Sequence, residues 1–216
     1  RNVHVVPYVH NPHTTPYSIG IDPGYSHPAV VFVAHLREQG THNRDIVFDE
    51  LTPDEMPEDV LLKIMDKKIQ SLGRMPEIIA SDRALPQFNQ KMMRRWTSVK
   101  VKTRQSKPDQ QVGTGIQNLQ GLLSPAEGPP RLFFAESLLK TENRGVISCF
   151  EQLRRKESQE GFVDAAIKDN RNDHSVDAVS YLMSAIYGRR GFGSDHNKPS
   201  KEDKYNKRLK AFGKAY

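Results

Sequence analysis

Three short apolar stretches near the N-terminal end constrain the fold more than any other feature. Tyr17–Ile21, Ala29–Ala34 and Asp45–Phe48 follow one another with only turn-like segments between them. Asp22-Pro-Gly24 closes the first, and Gln39-Gly-Thr-His-Asn43 lies between the second and third. Such residues supply turn conformations. A parallel return needs a crossover of roughly a dozen residues or more, usually a helix, so strands joined this tightly are antiparallel neighbours. The core therefore begins as a meander, which excludes an all-helical fold.

After the third strand the apolar period changes. Thr52-Pro-Asp-Glu55 has a helix-start pattern of capping hydroxyl, early proline and glutamate. Val60, Leu61, Ile64, Met65, Ile69 and Leu72 then mark one helical face, ended by Gly73. Glu77–Ala80 reads as a fourth strand running into Ser81-Asp82, followed by a helix through Phe88, Met92 and Trp96. Val99–Val101 is a fifth strand, and Gln105–Gly115 reads as a loop. A helix with Ile116, Leu119, Leu122 and Leu123 precedes the strand Leu132–Phe134. Val146, Phe150 and Leu153 give a further helical face, and the last helix runs from about Asp173 to Tyr187. A meander followed by strand–helix crossovers predicts an α/β fold. The order matches the RNase H-like architecture, a mixed sheet of three antiparallel strands and then parallel strands, flanked by helices. Residues 1–16 read as a linker or entry strand, 17–188 as the folded domain and 189–216 as a basic, flexible tail.

Charge supports that division. The formal net charge is +6, and from Arg189 onward nine Lys/Arg stand against three Asp/Glu, the whole of the surplus. A basic tail suits contact with a polyanion, or solubility. No apolar run approaches the ~20 residues of a bilayer span. The single cysteine, Cys149, excludes an internal disulfide and a thiolate zinc cage. His10 and His13 are spaced like a metal pair, but Pro12 lies between them and no third ligand follows, so they read as incidental surface histidines.

Three aspartates sit at element ends. Asp22 ends the first strand, Asp82 the fourth, and Asp177 lies one turn into the last helix. Each has a plain reading as turn former, helix cap or surface residue. In a sheet of this order the first and fourth strands are parallel neighbours, so Asp22 and Asp82 come side by side and the last helix delivers Asp177. Three gathered carboxylates repel unless a cation offsets them. Oxygen ligands suit Mg²⁺ or Mn²⁺, and two such ions can activate water and stabilise the leaving oxygen of a phosphodiester. His174 shares a helix face with Asp177, as ligand, proton shuttle or orienting group.

Ser18-Ile-Gly-Ile-Asp22-Pro-Gly24, Ile78-Ile-Ala-Ser-Asp82 and Asp173-His174-Ser-Val-Asp177-Ala-Val-Ser-Tyr181 resemble the nuclease-domain motifs of tailed-bacteriophage large terminase subunits. Lys107 followed by Gly115-Ile-Gln-Asn-Leu119 is similar to that family's lysine-then-helix segment. The resemblance implies a metal-dependent endonuclease that cuts concatemeric viral double-stranded DNA when genome packaging starts and ends. It implies metal-binding catalytic roles for Asp22, Asp82 and Asp177, with His174 as a further catalytic residue. By the same resemblance the partners are a packaging ATPase domain preceding this one, the phage portal and the small terminase subunit. The resemblance also implies the host cytoplasm as the setting, on the procapsid. The ATPase itself is absent from these residues, which contain no Gly-x-x-x-x-Gly-Lys-Ser/Thr loop. A first residue of Arg1 rather than Met fits an excised domain.

From Arg94 to Lys107 the chain carries Arg94, Arg95, Lys100, Lys102, Arg104 and Lys107 and no acid. Lys100, Lys102, Arg104 and Lys107 are the candidate phosphate contacts, since backbone charge supplies most non-specific DNA affinity. An actin-like ATPase or sugar kinase would need a second phosphate loop that is lacking here. Another RNase H-like enzyme, of the Holliday-junction resolvase or transposase type, would share the chemistry, and an inert DNA-binding module would share only the charge.

Overall fold

The computed structural model describes residues 4–24, 26–37, 43–82, 85–103, 112–141, 145–152, 154–158, 161–167 and 173–187. Arg104, Lys107 and the basic tail lie outside these residues. Seven strands form one sheet: β1 (Val5–Val6), β2 (Tyr17–Asp22), β3 (Ala29–Leu36), β4 (Arg44–Leu51), β5 (Ile78–Ser81), β6 (Lys100–Thr103) and β7 (Leu132–Ala135). Their order is β1-β7-β4-β3-β2-β5-β6. The meander β2–β3–β4 is antiparallel, whereas β5, β6 and β7 join as parallel strands. This is the RNase H-like arrangement that the element order predicts.

Helices α1 (Glu58–Leu72), α2 (Pro86–Arg95), α3 (Val112–Leu123), α4 (Val146–Gln152) and α5 (His174–Tyr187) accompany the sheet. Burial on both faces explains why Ala29-Val-Val-Phe-Val-Ala34 is almost continuously apolar. Side chains alternate on β2. Tyr17, Ile19 and Ile21 take one face, and the Tyr17 hydroxyl donates to the carbonyl of Arg74 just beyond α1, at 2.7 Å. Ser18, Gly20 and Asp22 take the other, against which α5 packs. Gly73 ends α1 in the left-handed conformation, at φ 64°, as the sequence predicts.

Four local readings need correction. Helix α1 starts at Glu58 rather than near Thr52, and Val60 is 41% exposed instead of inward. Pro57 explains this: inside a longer helix it would remove a hydrogen bond and clash with the preceding turn. The residues before it serve the β2–β3 loop instead, with the Glu55 amide donating to the Ser26 carbonyl and Glu55 at φ 41°. Helix α3 begins at Val112, inside the stretch read as a loop. A two-stranded antiparallel hairpin, β8 (Arg154–Ser158) with β9 (Gly161–Ile167), occupies a region with no predicted strand. Arg154-Arg-Lys-Glu-Ser158 has no apolar alternation from which to read it. Finally, His10 is not an incidental surface group. Its ring stacks on Phe48 at a centroid distance of 4.0 Å, and burial holds its pKa below the usual value.

Candidate functional site

Strand register places the first two aspartates. Ile21 pairs with Ser81 across the parallel β2–β5 ladder, so the next residues, Asp22 and Asp82, leave the sheet side by side. Adjacent strands lie ~4.8 Å apart. Helix α2 begins only at Pro86, with Leu85 in the capping position, so Asp82 does not cap it.

Gly20 brings the third. A Cβ built on Gly20 would lie 2.2 Å from the carbonyl oxygen of Ala178 in α5. Only glycine allows the helix backbone to come that close to β2, and the residue before Ala178 is Asp177. Gly20 stands two positions before Asp22 on the same face, so one close approach sets α5 beside the carboxylate edge. An isolated glycine inside a strand is a signal of such an approach. The sequence reading did not use it.

Tyr181, four residues after Asp177, records the convergence. Its hydroxyl donates to Asp82 Oδ2 at 3.0 Å. Burial pushes its pKa well above the ordinary phenol value, and the charges of Asp177, Asp22 and Asp82 all push it further the same way. His174, at the start of α5, places Nδ1 2.7 Å from Asp22 Oδ2. That hydrogen bond raises its pKa above the usual imidazole value against the opposing effect of burial, with help from Asp22, Asp173 and Asp177 charge. A second histidine, His27 of the β2–β3 loop, has its ring centroid 5.9 Å from that of His174 and its Nδ1 3.3 Å from Asp54. No periodicity or motif marks His27 in the sequence.

Asp22, Asp82, Asp177 and His174 therefore gather at one sheet edge. Carboxylate oxygens are the donors expected for a hard divalent cation such as Mg²⁺ or Mn²⁺, with the imidazole beside them. Among the described residues, no three such groups are already drawn in far enough to hold a metal ion. The His174 ring and the Tyr181 hydroxyl hold two of the carboxylates instead.

The basic residues divide. Lys100 is exposed on the edge strand β6. Lys102 donates to the carbonyl of Ala185, in the last turn of α5, and burial lowers its pKa. A cation at a helix C-terminus is favourable, and here it anchors α5 to β6.

Two buried polar clusters lie elsewhere in the fold. His35 Nδ1 lies 2.7 Å from Asp45 Oδ1, and His35 Nε2 lies 2.8 Å from Ser18 Oγ. The order is that of a Ser-His-Asp nucleophile, but these residues are 0%, 2% and 3% exposed for Ser18, His35 and Asp45, so substrate cannot reach them. The Tyr187 hydroxyl also donates to Asp45, which ties the C-terminal end of α5 across the sheet. The second cluster centres on Glu50, whose Oε2 accepts the Val146 amide at 2.6 Å at the start of α4. Burial pushes the Glu50 carboxyl up to about 7, partly offset by the Val146 and Thr141 hydrogen bonds. Between pH 4.5 and 7 the folded state thus holds a proton that the unfolded state has lost, so stability falls as pH rises through that window. Glu50→Gln is expected to melt near the wild type at pH 5 and above it at pH 8. Thermal melts at the two pH values check this, and equal shifts at both would contradict it.

No helix among the described residues is long and apolar enough to cross a membrane. No protein-family model matches the sequence. No curated protein matches it either. Solved structures do match. The large terminase (g2p) nuclease domain of bacteriophage SPP1, solved with bound Mn, superposes at a TM-score of 0.58 with 15% identity, covering 86% of this chain and 97% of that one. The large terminase nuclease of thermophilic phage G20c, solved with bound magnesium, superposes at 0.54 with 13% identity, covering 84% and 92%. The chain thus has the RNase H-like fold of phage large terminase nuclease domains.

Proposed function

We propose that this chain is a divalent-metal-dependent endonuclease that hydrolyses phosphodiester bonds of double-stranded DNA, and that its biological task is to cut concatemeric viral DNA as packaging begins and ends. The observation that carries the reading is the placement of Asp22 and Asp82 at the paired ends of two neighbouring parallel strands, with the helix that bears Asp177 tied to them by the His174–Asp22 and Tyr181–Asp82 hydrogen bonds. Asp22, Asp82 and Asp177 would hold the cations, with His174 beside them. Bound there, Mg²⁺ or Mn²⁺ would supply an activated water and offset charge on the leaving oxygen. The protein's own part is to keep three acidic groups at one edge, with His174 positioned by Asp22 to hold a proton at Nδ1. Lys100 and Lys102 bring positive charge to β6, and Arg104 and Lys107 would add further phosphate contacts. Phosphate contacts of this kind bring little base selectivity. Residues 17–188 would form the nuclease domain and 189–216 its basic tail, in a chain that works with a packaging ATPase, a portal and a small terminase subunit.

Supercoiled plasmid incubated with the protein and Mn²⁺ or Mg²⁺ is expected to be nicked and linearised without sequence preference, and EDTA to stop it. Cleavage that persists in EDTA would overturn the proposal. A four-way junction in parallel tests the resolvase alternative, which demands cutting of the junction in preference to linear duplex.

A further inference from the structure

Asp82 lies one residue beyond its strand, whereas Asp22 is the last residue of β2 and Asp177 lies within α5. β5 ends at Ser81, so the Asp82 carbonyl lies beyond the ladder. Asn89, in the interior of α2, meets it there: its Nδ2 donates to the Asp82 carbonyl at 2.7 Å. Asn89 is only 4% exposed and sits between the buried Phe88 and Met92, a place where an apolar residue would be ordinary. Its Oδ1 is buried and has no hydrogen-bond partner among the described residues. An orphaned amide oxygen is unfavourable, and asparagine is a poor helix former, so two local rules are broken at one position. Violations of that kind concentrate where a residue serves function.

The Asp82 side chain has its partner on a different helix. Tyr181, 5% exposed, donates its hydroxyl to Asp82 Oδ2 at 3.0 Å. It lies one turn beyond Asp177 on α5, so the helix that delivers one carboxylate also restrains another.

We propose that Asn89 and Tyr181 are positioning residues that brace Asp82, Asn89 at the backbone carbonyl and Tyr181 at the carboxylate. The inference rests on the nuclease reading and deepens it. Asn89 fixes where the chain leaves β5. Tyr181 stops rotation of the carboxylate and ties it to α5. Together they keep Asp82 oriented for a cation before one arrives, as hydrogen-bonding partners of metal ligands do elsewhere.

The test uses the full chain with Tyr181→Phe and Asn89→Leu. Three quantities are read for each: metal-free melting, binding of Mn²⁺ alone by calorimetry or electron paramagnetic resonance, and the Mn²⁺ dependence of plasmid nicking. Mn²⁺ affinity is expected to fall roughly 10–100-fold in each variant, the scale on which lost outer hydrogen bonds to metal ligands are felt. Saturating Mn²⁺ should recover most of the nicking rate, and Asn89→Leu should melt no lower than the wild type. A merely structural role would lower melting and leave Mn²⁺ affinity intact, and that result overturns the brace. Variants that match a metal-binding, cutting wild type in affinity also overturn it, while the nuclease reading stands. A wild type that neither binds Mn²⁺ nor cuts overturns both.

Discussion

Asp177→Asn will reduce metal-dependent plasmid cleavage by roughly a hundred- to a thousandfold, the scale on which one charge-stabilising group in a catalytic site is felt. The metal-free variant will melt at the wild-type temperature or higher. Asn keeps the shape of the side chain and removes one of the three negative charges that raise the Tyr181 pKa. Added Mn²⁺ will raise the melting temperature of the wild type by mass action and that of the variant less. Asp22→Asn will lose cleavage similarly, with an added signature. The hydrogen bond to Asp22 is the largest cause of the raised His174 pKa, so that pKa will fall back in the variant. Stability from a raised histidine pKa is fully present below the unfolded value and lost as pH rises through the folded one. Asp22→Asn will therefore be relatively weakest at acidic pH, whereas Asp177→Asn, which relieves repulsion between ionised carboxylates, gains most at neutral pH and above. Plasmid assays, melts across pH and imidazole titration by NMR separate the two. An active Asp177→Asn protein with a lowered melting temperature would reduce Asp177 to a helix-surface residue.

Gly20→Ala will damage both stability and cleavage, although glycine bears no functional group. The added methyl would meet the Ala178 carbonyl oxygen at 2.2 Å, the carbonyl carbon at 2.9 Å and Val31 Cγ2 at 3.0 Å. The first two are backbone atoms of α5 and cannot rotate away. Helix α5 must retreat by about 1 Å to restore ordinary contact. Overpacking of this sort costs about 1–3 kcal/mol. A displacement of that size at a reacting site can cost about a hundredfold in rate. The rate should stay low even at temperatures where melts show the variant fully folded. Full activity in folded Gly20→Ala would mean that the Asp177 position does not depend on this contact.

Much of this fold was legible in local pattern. The tight connections of the meander, the alternation of strand and helix, and the left-handed stop at Gly73 are each dictated by a few neighbouring residues. Where local signals competed, the reading went astray. The capping pattern at Thr52–Glu55 is genuine chemistry, but Pro57 prevents the helix from passing through and Ser26 takes the Glu55 amide. The hairpin β8–β9 opens with a strand of polar residues that carries no apolar alternation, so the apolar residues of β9 have no legible partner in the sequence.

The sequence by itself determined that Asp22 and Asp82 end parallel neighbouring strands and that His174 and Asp177 share the first turn of one helix. The match of the element order to the RNase H-like architecture places the first pair, and helical spacing the second. Only the tertiary structure decided what holds those groups. The Tyr181–Asp82 and His174–Asp22 bonds join residues 99 and 152 positions apart, and the fit of Gly20 against Ala178 depends on how closely two backbones approach. The buried Ser18–His35–Asp45 chain teaches the same from the other side, since its hydrogen-bond order alone would suggest a nucleophile and only its burial excludes one. Periodicity is a property of neighbours in sequence, whereas orientation, burial and proton position arise where distant segments pack.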